Sequence, residues 1–432
     1  MAKEARTIVS DNEENRTYID PLSFKYIKII RTIYNPIGLF PVEKFGLTSR
    51  WRIQRFIHPF LAAIFWIFEI NFVVQNFHEL DFFLLGHCYL ANVTTGMVAI
   101  RTYIYTREKY DNLMYEFLAK FHIVHARFNS PYYEKMFRLE QKISANLTNG
   151  IMISTFLGSF LYSSLPIYNN IRNGVFGREK GSNVTVDLSI YFLAPNFDPR
   201  DHVISATIFN IYASLCCSFM TMISDLVVYL MVIQIIAHIY GLINDLENIP
   251  KPKRFNDRRT FRHEDMIIPL VDMYDAEENA EVLSILGRCI EHHKMIVTFT
   301  HEISSFYGPM LAYNYFYQVT SLCVQLIEIS RGDMNTFFRY IFFACLVFSE
   351  LILMSVIFEA VNHTSEKVIQ SVYDIPWEYM NTSNRRIVSV LLHRVQSPIK
   401  VTAIGMVPVS LGTMTAILKT TFSYFAFLRT LG

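Results

Sequence analysis

The run VISATIFNIYASLCCSFMTMISDLVVYLMVIQII, residues 203–236, decides the fold. It exceeds the ~20 mostly apolar residues a helix needs to cross ~30 Å of hydrocarbon. Its only acidic or basic side chain is Asp225. Six further apolar runs, at 56–75, 82–105, 151–168, 295–327, 340–358 and 401–428, are also long enough to span or nearly so. The sequence therefore predicts an all-α polytopic membrane protein with seven transmembrane helices. The totals agree: 52% of the 432 residues are hydrophobic and 18% are charged, where a soluble domain carries about a quarter charged. The fourth, fifth and seventh runs exceed a bilayer's needs, so those helices should tilt or continue past it. Gly308-Pro309 should kink the fifth.

Lysine and arginine set an orientation. Lys25, Lys28, Arg31, Lys44, Arg50, Arg52 and Arg55 precede the first span. The second, fourth and sixth connections are also basic, within 107–142, 251–294 and 367–400. The first connection has no Lys or Arg but holds Glu79 and Asp81. In the third, Arg172, Arg178, Lys180 and Arg200 face Glu179, Asp187, Asp198 and Asp201, and the fifth has little beyond Arg331 and Arg339. The positive-inside rule places the N-terminus in the cytoplasm and, after seven spans, the C-terminus outside. Among the N-x-[ST] triplets at Asn92, Asn146, Asn183, Asn362 and Asn381, only Asn183 falls in an outer loop and is the expected glycosylation site. No cleavable signal is expected from the polar start. Residues 1–55 read as a cytoplasmic segment with an interfacial helix over 21–40, where basic and bulky apolar residues alternate. Residues 56–236 hold spans one to four, 237–294 a cytoplasmic anchor segment, 295–360 spans five and six, 361–400 a second anchor segment and 401–432 the last span.

A net charge of +1 argues against a nucleic-acid surface. There is no P-loop, GxSxG or HExxH, so neither catalysis nor a cofactor or metal is expected. Cys88, Cys216, Cys217, Cys289, Cys323 and Cys345 lack CxxC spacing and read as buried apolar cysteines. His292-His293 reads as a solvated helix face. Charged side chains within spans are costly; Glu69, Arg101, Asp225, Glu350, Glu359 and Lys419 either pair and anchor the bundle or mark function. Lys419 shares its span with Thr413, Thr415, Thr420, Thr421, Ser423 and Tyr424, which suits a water-facing helix or helix-to-helix hydrogen bonding. Aromatic residues are 15% of the chain, with 36 Phe and 25 Tyr. In the outer halves of the second, third, fourth and sixth spans, Phe82, Phe83, Cys88, Tyr89, Gly158, Phe160, Tyr162, Ile208, Tyr212, Tyr340 and Phe343 could line a pocket for a small apolar ligand, with Ser163 or Ser164 orienting it. Packing or lipid contact is the competing reading for each.

The last segment, residues 365–432, resembles the C-terminal signature of insect odorant receptors. The matching elements are Ser365-Glu366, Tyr373, Trp377, the LLHRVQSP run from Leu391 to Pro398, and Lys419 followed by Phe422-Ser423-Tyr424-Phe425. Span number, loop lengths and orientation extend the resemblance over nearly the whole chain. It implies a tetrameric, ligand-gated, non-selective cation channel in the plasma membrane of a sensory neuron dendrite, formed with the odorant receptor co-receptor. The last helix would line the pore, with a narrow gate at Phe427, Thr430 and Leu431; Phe at the first of these is bulkier than the family's usual aliphatic. The odorant pocket would lie among the outer-half residues named above. Residues 281–294 resemble a specific receptor rather than the co-receptor. The closing run 407–432 is similar to moth pheromone receptors, which implies a long-chain acetate, aldehyde or alcohol. Three other readings compete. A seven-helix G-protein-coupled receptor needs an outside N-terminus, and no Asp-Arg-Tyr or NPxxY triplet supports it. A gustatory-type receptor would conduct without a partner, and a transporter should show internal repeats, which are not seen.

Overall fold

The computed structural model describes residues 20–48, 50–176, 186–197, 199, 201–252, 260–263, 266–269, 273–330, 334–403 and 407–429. Asn183, Thr430 and Leu431 lie outside the described residues, as do Arg178, Glu179, Lys180, Asp198, Arg200 and Arg331 and most of the basic stretch after Lys251.

Ten helices are seen among the described residues: α1 (Lys25–Tyr34), α2 (Gln54–Asn76), α3 (Phe82–Ile104), α4 (Glu108–Glu116), α5 (Pro131–Arg172), α6 (Val203–Glu247), α7 (Ala276–Ser330), α8 (Met334–Tyr373), α9 (Thr382–Val395) and α10 (Leu411–Arg429). Two small antiparallel hairpins interrupt them, β1 (Thr260–His263) with β2 (Met266–Pro269) and β3 (Thr402–Ala403) with β4 (Val407–Pro408). The seven long helices α2, α3, α5, α6, α7, α8 and α10 each contain one predicted span or most of it. By length and composition α2, α5, α6 and α8 can cross a membrane.

Four of these helices, α5 to α8, far exceed a bilayer. At 1.5 Å per residue, the 45 residues of α6 reach about 68 Å and the 55 of α7 about 80 Å. The long helices continue without a break into a second region, so the predicted boundaries at 236 and 294 fall inside continuous helix. α7 also runs through Pro309 unbroken. Local chemistry sets the ends. Ser130 accepts a hydrogen bond from the Tyr133 amide (3.4 Å) at the start of α5, with Pro131 in the first turn. Asp81 accepts from the Leu84 amide (2.9 Å) at the start of α3.

The seventh span begins ten residues later than the apolar run suggests. The apolar stretch pairs as strands instead: Thr402 pairs with Pro408 and Ala403 with Val407, and Pro408 has no N–H for a helix ladder. Helix starts only after Ser410, whose Oγ accepts from the Thr413 amide (3.3 Å), while Glu359 accepts from the Leu411 amide (3.1 Å).

The second region, the base, is built from α1, α4, α9 and the far ends of α5 to α8. The amphipathic face of α1 packs on protein, with Tyr26, Ile27, Ile30 and Tyr34 all buried, so its apolar stripe finds its partner within the chain rather than at a lipid surface. Two polar chains cross this core. His122 Nε2 lies 2.8 Å from Tyr26 Oη, which donates to Glu140 (3.2 Å), and Ser144 donates to the same carboxylate oxygen (2.7 Å). Because His122 Nδ1 accepts from the Val124 amide (3.1 Å), the hydrogen-bond pattern assigns the ring proton to Nε2. His238 Nε2 sits 2.6 Å from the Phe121 carbonyl, and its Nδ1 is 2.9 Å from His292 Nε2. His292 is thus part of a packed network, not the solvated face its charged surroundings suggest. Glu291 and Lys294 beside it are exposed, and helical periodicity turns His292 inward.

Candidate functional site

α3, α5, α6 and α8 diverge above the base, and their small residues leave a cavity of about 240 Å³ between them. The α5 wall is a stripe at helical spacing: Ile151, Ser154, Thr155, Gly158, Ser159 and Tyr162. The α6 wall runs from Ser214 through Cys217, Ser218 and Thr221 to Asp225 and Tyr229. α8 adds Phe343, Leu346, Val347, Glu350 and Leu353, α3 adds Leu90, Ala91, Thr94 and Thr95, and α7 adds Tyr317. Gly158 leaves room here: a Cβ on it would sit 2.2 Å from the Leu346 Cδ1 atom, so any larger residue pushes that side chain aside.

The roof is a folded-back piece of the α5–α6 connection. Leu188, Ser189, Ile190 and Phe192 are buried. The Ser189 carbonyl accepts from Tyr162 (2.9 Å) and lies 3.0 Å from His87 Nε2, while His87 Nδ1 is 2.6 Å from Tyr340 Oη. Asn170 holds Asp187 through both backbone groups (2.7 and 2.8 Å), and Asn210 accepts from the Ile190 amide (2.6 Å).

Charge collects at the opposite end. Arg101 pairs with Asp225 at 3.1 Å and donates to the Thr221 carbonyl at 3.0 Å. Glu350 reaches Asp225 from α8 and accepts from Asn314 (3.3 Å). All of these groups are buried, so each needs its partner. Most wall hydroxyls are already used. Thr94, Ser154, Thr155, Thr221 and Ser349 donate to carbonyls one turn back on their own helices, and Thr95 donates to Glu69 (2.7 Å). The walls therefore behave as apolar surface despite their serines and threonines.

Of the residues expected to bind ligand, Gly158, Tyr162 and Phe343 line the cavity. Tyr340 is buried and belongs to the roof through His87. Cys88 is buried outside the lining, and Ser164 donates to the Leu161 carbonyl (2.9 Å). Phe82, Tyr89, Phe160, Ile208 and Tyr212 lie exposed on the outside of the bundle, and Ser163 is buried away from the lining. Phe83 lies in α3, with its side chain outside the described set. At 100° per residue, Tyr89 turns away where Leu90 and Ala91 turn in. Phe427 is on an exposed face of α10. Aromatic residues drew the sequence reading, whereas small polar residues make the cavity. The stripe at 151, 154, 155, 158, 159 and 162 is the signal that reveals it. Asp225 and Glu350 stand out as intramembrane charges, but their convergence needs the fold. The cysteines follow expectation only in part: Cys88, Cys289 and Cys323 are buried, Cys216 and Cys217 half-buried, and Cys345 exposed.

Comparison with known proteins is consistent from sequence to fold. Odorant receptor 13a of Drosophila melanogaster is 26% identical over 173 residues, covering 36% of this chain and 41% of the relative. Odorant receptor 22c of the same species is 25% identical over 161 residues, covering 37% and 40%. The matched stretches thus span about two fifths of these relatives' length. The insect olfactory receptor OR5 of Machilis hrabei superposes with a TM-score of 0.71 at 12% identity, covering 94% of this chain and all of the other. The structure of that receptor in complex with eugenol gives a TM-score of 0.75 at 13% identity over 96% of this chain. The family model described as 7tm Odorant receptor matches residues 79–422. This membrane chain belongs to the insect 7tm odorant receptor family.

Proposed function

We propose that this chain is the odorant-binding subunit of a ligand-gated, non-selective cation channel, assembled as a heterotetramer with the odorant receptor co-receptor. A small apolar volatile enters the cavity between α3, α5, α6 and α8, and its binding parts the α10 helices of the four subunits around a pore. In this reading the N-terminus and the base are cytoplasmic, forming the anchor between subunits, and the cavity lies in the outer half of the plasma membrane of a sensory neuron dendrite. Phe427, Thr430 and Leu431 form the gate, and Asn183 carries a glycan.

Lys419 carries this reading. Among the described side chains of α10 only Ile417 and Thr421 are buried, and Thr415, Lys419 and Ser423, spaced by four, share an exposed face. The hydroxyls of Thr415, Thr420 and Ser423 donate to their own helix and could lie against lipid at little cost. An exposed ammonium within the span could not, since lipid burial of Lys costs several kcal/mol. Copies of α10 around water resolve this. The cavity of about 240 Å³, comparable to the liquid volume of about eight waters, favours a small volatile over the long-chain pheromone that the closing run implies. OR5 of Machilis hrabei in complex with eugenol is a precedent for such a ligand.

The test is whole-cell recording with an odorant panel, in cells expressing this chain, the co-receptor or both, with guanine nucleotides dialysed away. Odorant-evoked cation current only with both chains is expected. Surface-delivered receptor that stays silent to every odorant, or current that vanishes with guanine nucleotide, overturns the proposal. Current from this chain alone favours the partner-free, gustatory-type channel.

A further inference from the structure

The cavity is chemically one-sided. Along its walls most hydroxyls are spent on helix carbonyls, Ser159 excepted, but at its floor Asp225, Tyr229 and Glu350 face one space. Asp225 and Tyr229 are four residues apart on α6 and so share a face, while Glu350 meets them from α8. All three are more than nine-tenths buried, at 6%, 2% and 6% exposure. Arg101 satisfies one oxygen of Asp225 and the Glu350 carboxyl lies within hydrogen-bond reach of the same side chain, so the two carboxyl groups act as a pair with acceptor capacity to spare, while Tyr229 Oη has no hydrogen-bond partner among the described residues. A buried acceptor and a buried hydroxyl left unmatched are costly. The two carboxyl groups offer acceptor oxygens to one cavity, and Arg101 is already engaged by Asp225 and the Thr221 carbonyl.

We propose that this cavity selects an apolar volatile bearing a terminal hydroxyl. The ligand O–H donates to the Asp225–Glu350 carboxyl pair, and Tyr229 Oη donates to the ligand oxygen. Aldehydes, ketones and esters of the same carbon skeleton can accept from Tyr229 but bring no donor for the carboxyl pair, which stays unmatched against them. An amine brings a donor, but stripping water from an ammonium inside the bundle costs far more than from a hydroxyl. This deepens the odorant-cavity reading and rests on it. Asp225 is tied to Arg101, so Tyr229 and Glu350 are the residues whose polarity can be changed with the pair left in place.

Binding is measured on purified receptor in nanodiscs, by ligand-induced thermal stabilisation, with matched alcohol, aldehyde, acetate and primary amine of one carbon skeleton. This readout does not depend on conduction, so a failed channel reading and a failed hydroxyl assignment give different results. The alcohol is expected to bind at least tenfold tighter than the other three. In Tyr229→Phe and Glu350→Gln that preference should shrink to about threefold or less, while affinity for the acetate stays within about threefold of the unsubstituted receptor. Equal binding of the four compounds, a preference for aldehyde, acetate or amine, or an alcohol preference unchanged in both folded variants overturns the proposal. If Glu350→Gln does not fold, Tyr229→Phe alone decides.

Discussion

The two halves of α6 contrast within one helix. From Ile223 to Leu246 nearly every residue is buried, aromatic and polar side chains included. From Val203 to Met222 only one face is buried, and Ile204, Ile208, Phe209 and Tyr212 point outward. The base is filled on all sides by α1, α4, α5, α7 and α9, and two polar relays run through it. The upper half surrounds a cavity whose floor, at Asp225 and Tyr229, marks the junction with the base. Local opening free energy follows buried contact density. The base is thus the rigid frame, and the cavity half is the part that can rearrange around a ligand.

Substitutions can break or sharpen this division. The largest effect is expected where the halves meet. Arg101→Met leaves Asp225 charged and buried, which costs about 3–5 kcal/mol; thermal unfolding of detergent-solubilised receptor should show it, with much of the loss restored by adding Asp225→Leu. Next comes the base. A Cβ at Gly241 would lie 2.5 Å from the Tyr133 ring, so Gly241→Ala should lower stability by about 1–3 kcal/mol, and a neutral result on the same assay would mean the base is not close-packed.

The pH response is the third. Burial, followed by the neighbouring His125 and His238, pushes the His122 imidazole well below its ordinary value. The folded state therefore holds it neutral while the unfolded chain takes a proton below about pH 6.5. Stability is full above that pH and falls by about 1.4 kcal/mol per unit as pH drops below it. Unfolding temperatures between pH 7.5 and 5 should show a steeper decline than His122→Gln does. The smallest effect is in the cavity half. Gly158→Ala should leave the unfolding temperature within a few degrees, because only the tip of Leu346 must move, yet it narrows the cavity and should weaken ligand binding about tenfold. Equal losses of stability at Gly158 and Gly241 would erase the distinction between the halves.

Composition alone made the seven-helix plan legible, because apolar runs of span length have few other uses. The base was harder to read. Its helices carry ordinary amphipathic patterns, so the 21–40 segment fits lipid or protein equally well, and only packing of Tyr26 and Tyr34 decides. The start of α10 was hidden because Val401, Val407 and Val409 are as apolar as a span while Pro408 keeps them extended. At the cavity, single charges stood out but pairing did not: Arg101 and Asp225 are far apart in sequence. Bulky aromatics on exposed faces outshone the small residues whose lack of bulk creates the space.

α7 is one unbroken helix of about 80 Å at 1.5 Å per residue, packed on both α9 and α10. A tilt of ~1° about its lower end displaces its far tip by about 1.4 Å over that length. Such a lever needs no flexible joint: a sub-ångström adjustment among tightly packed neighbours below reaches the last helix as a shift comparable to a bond length.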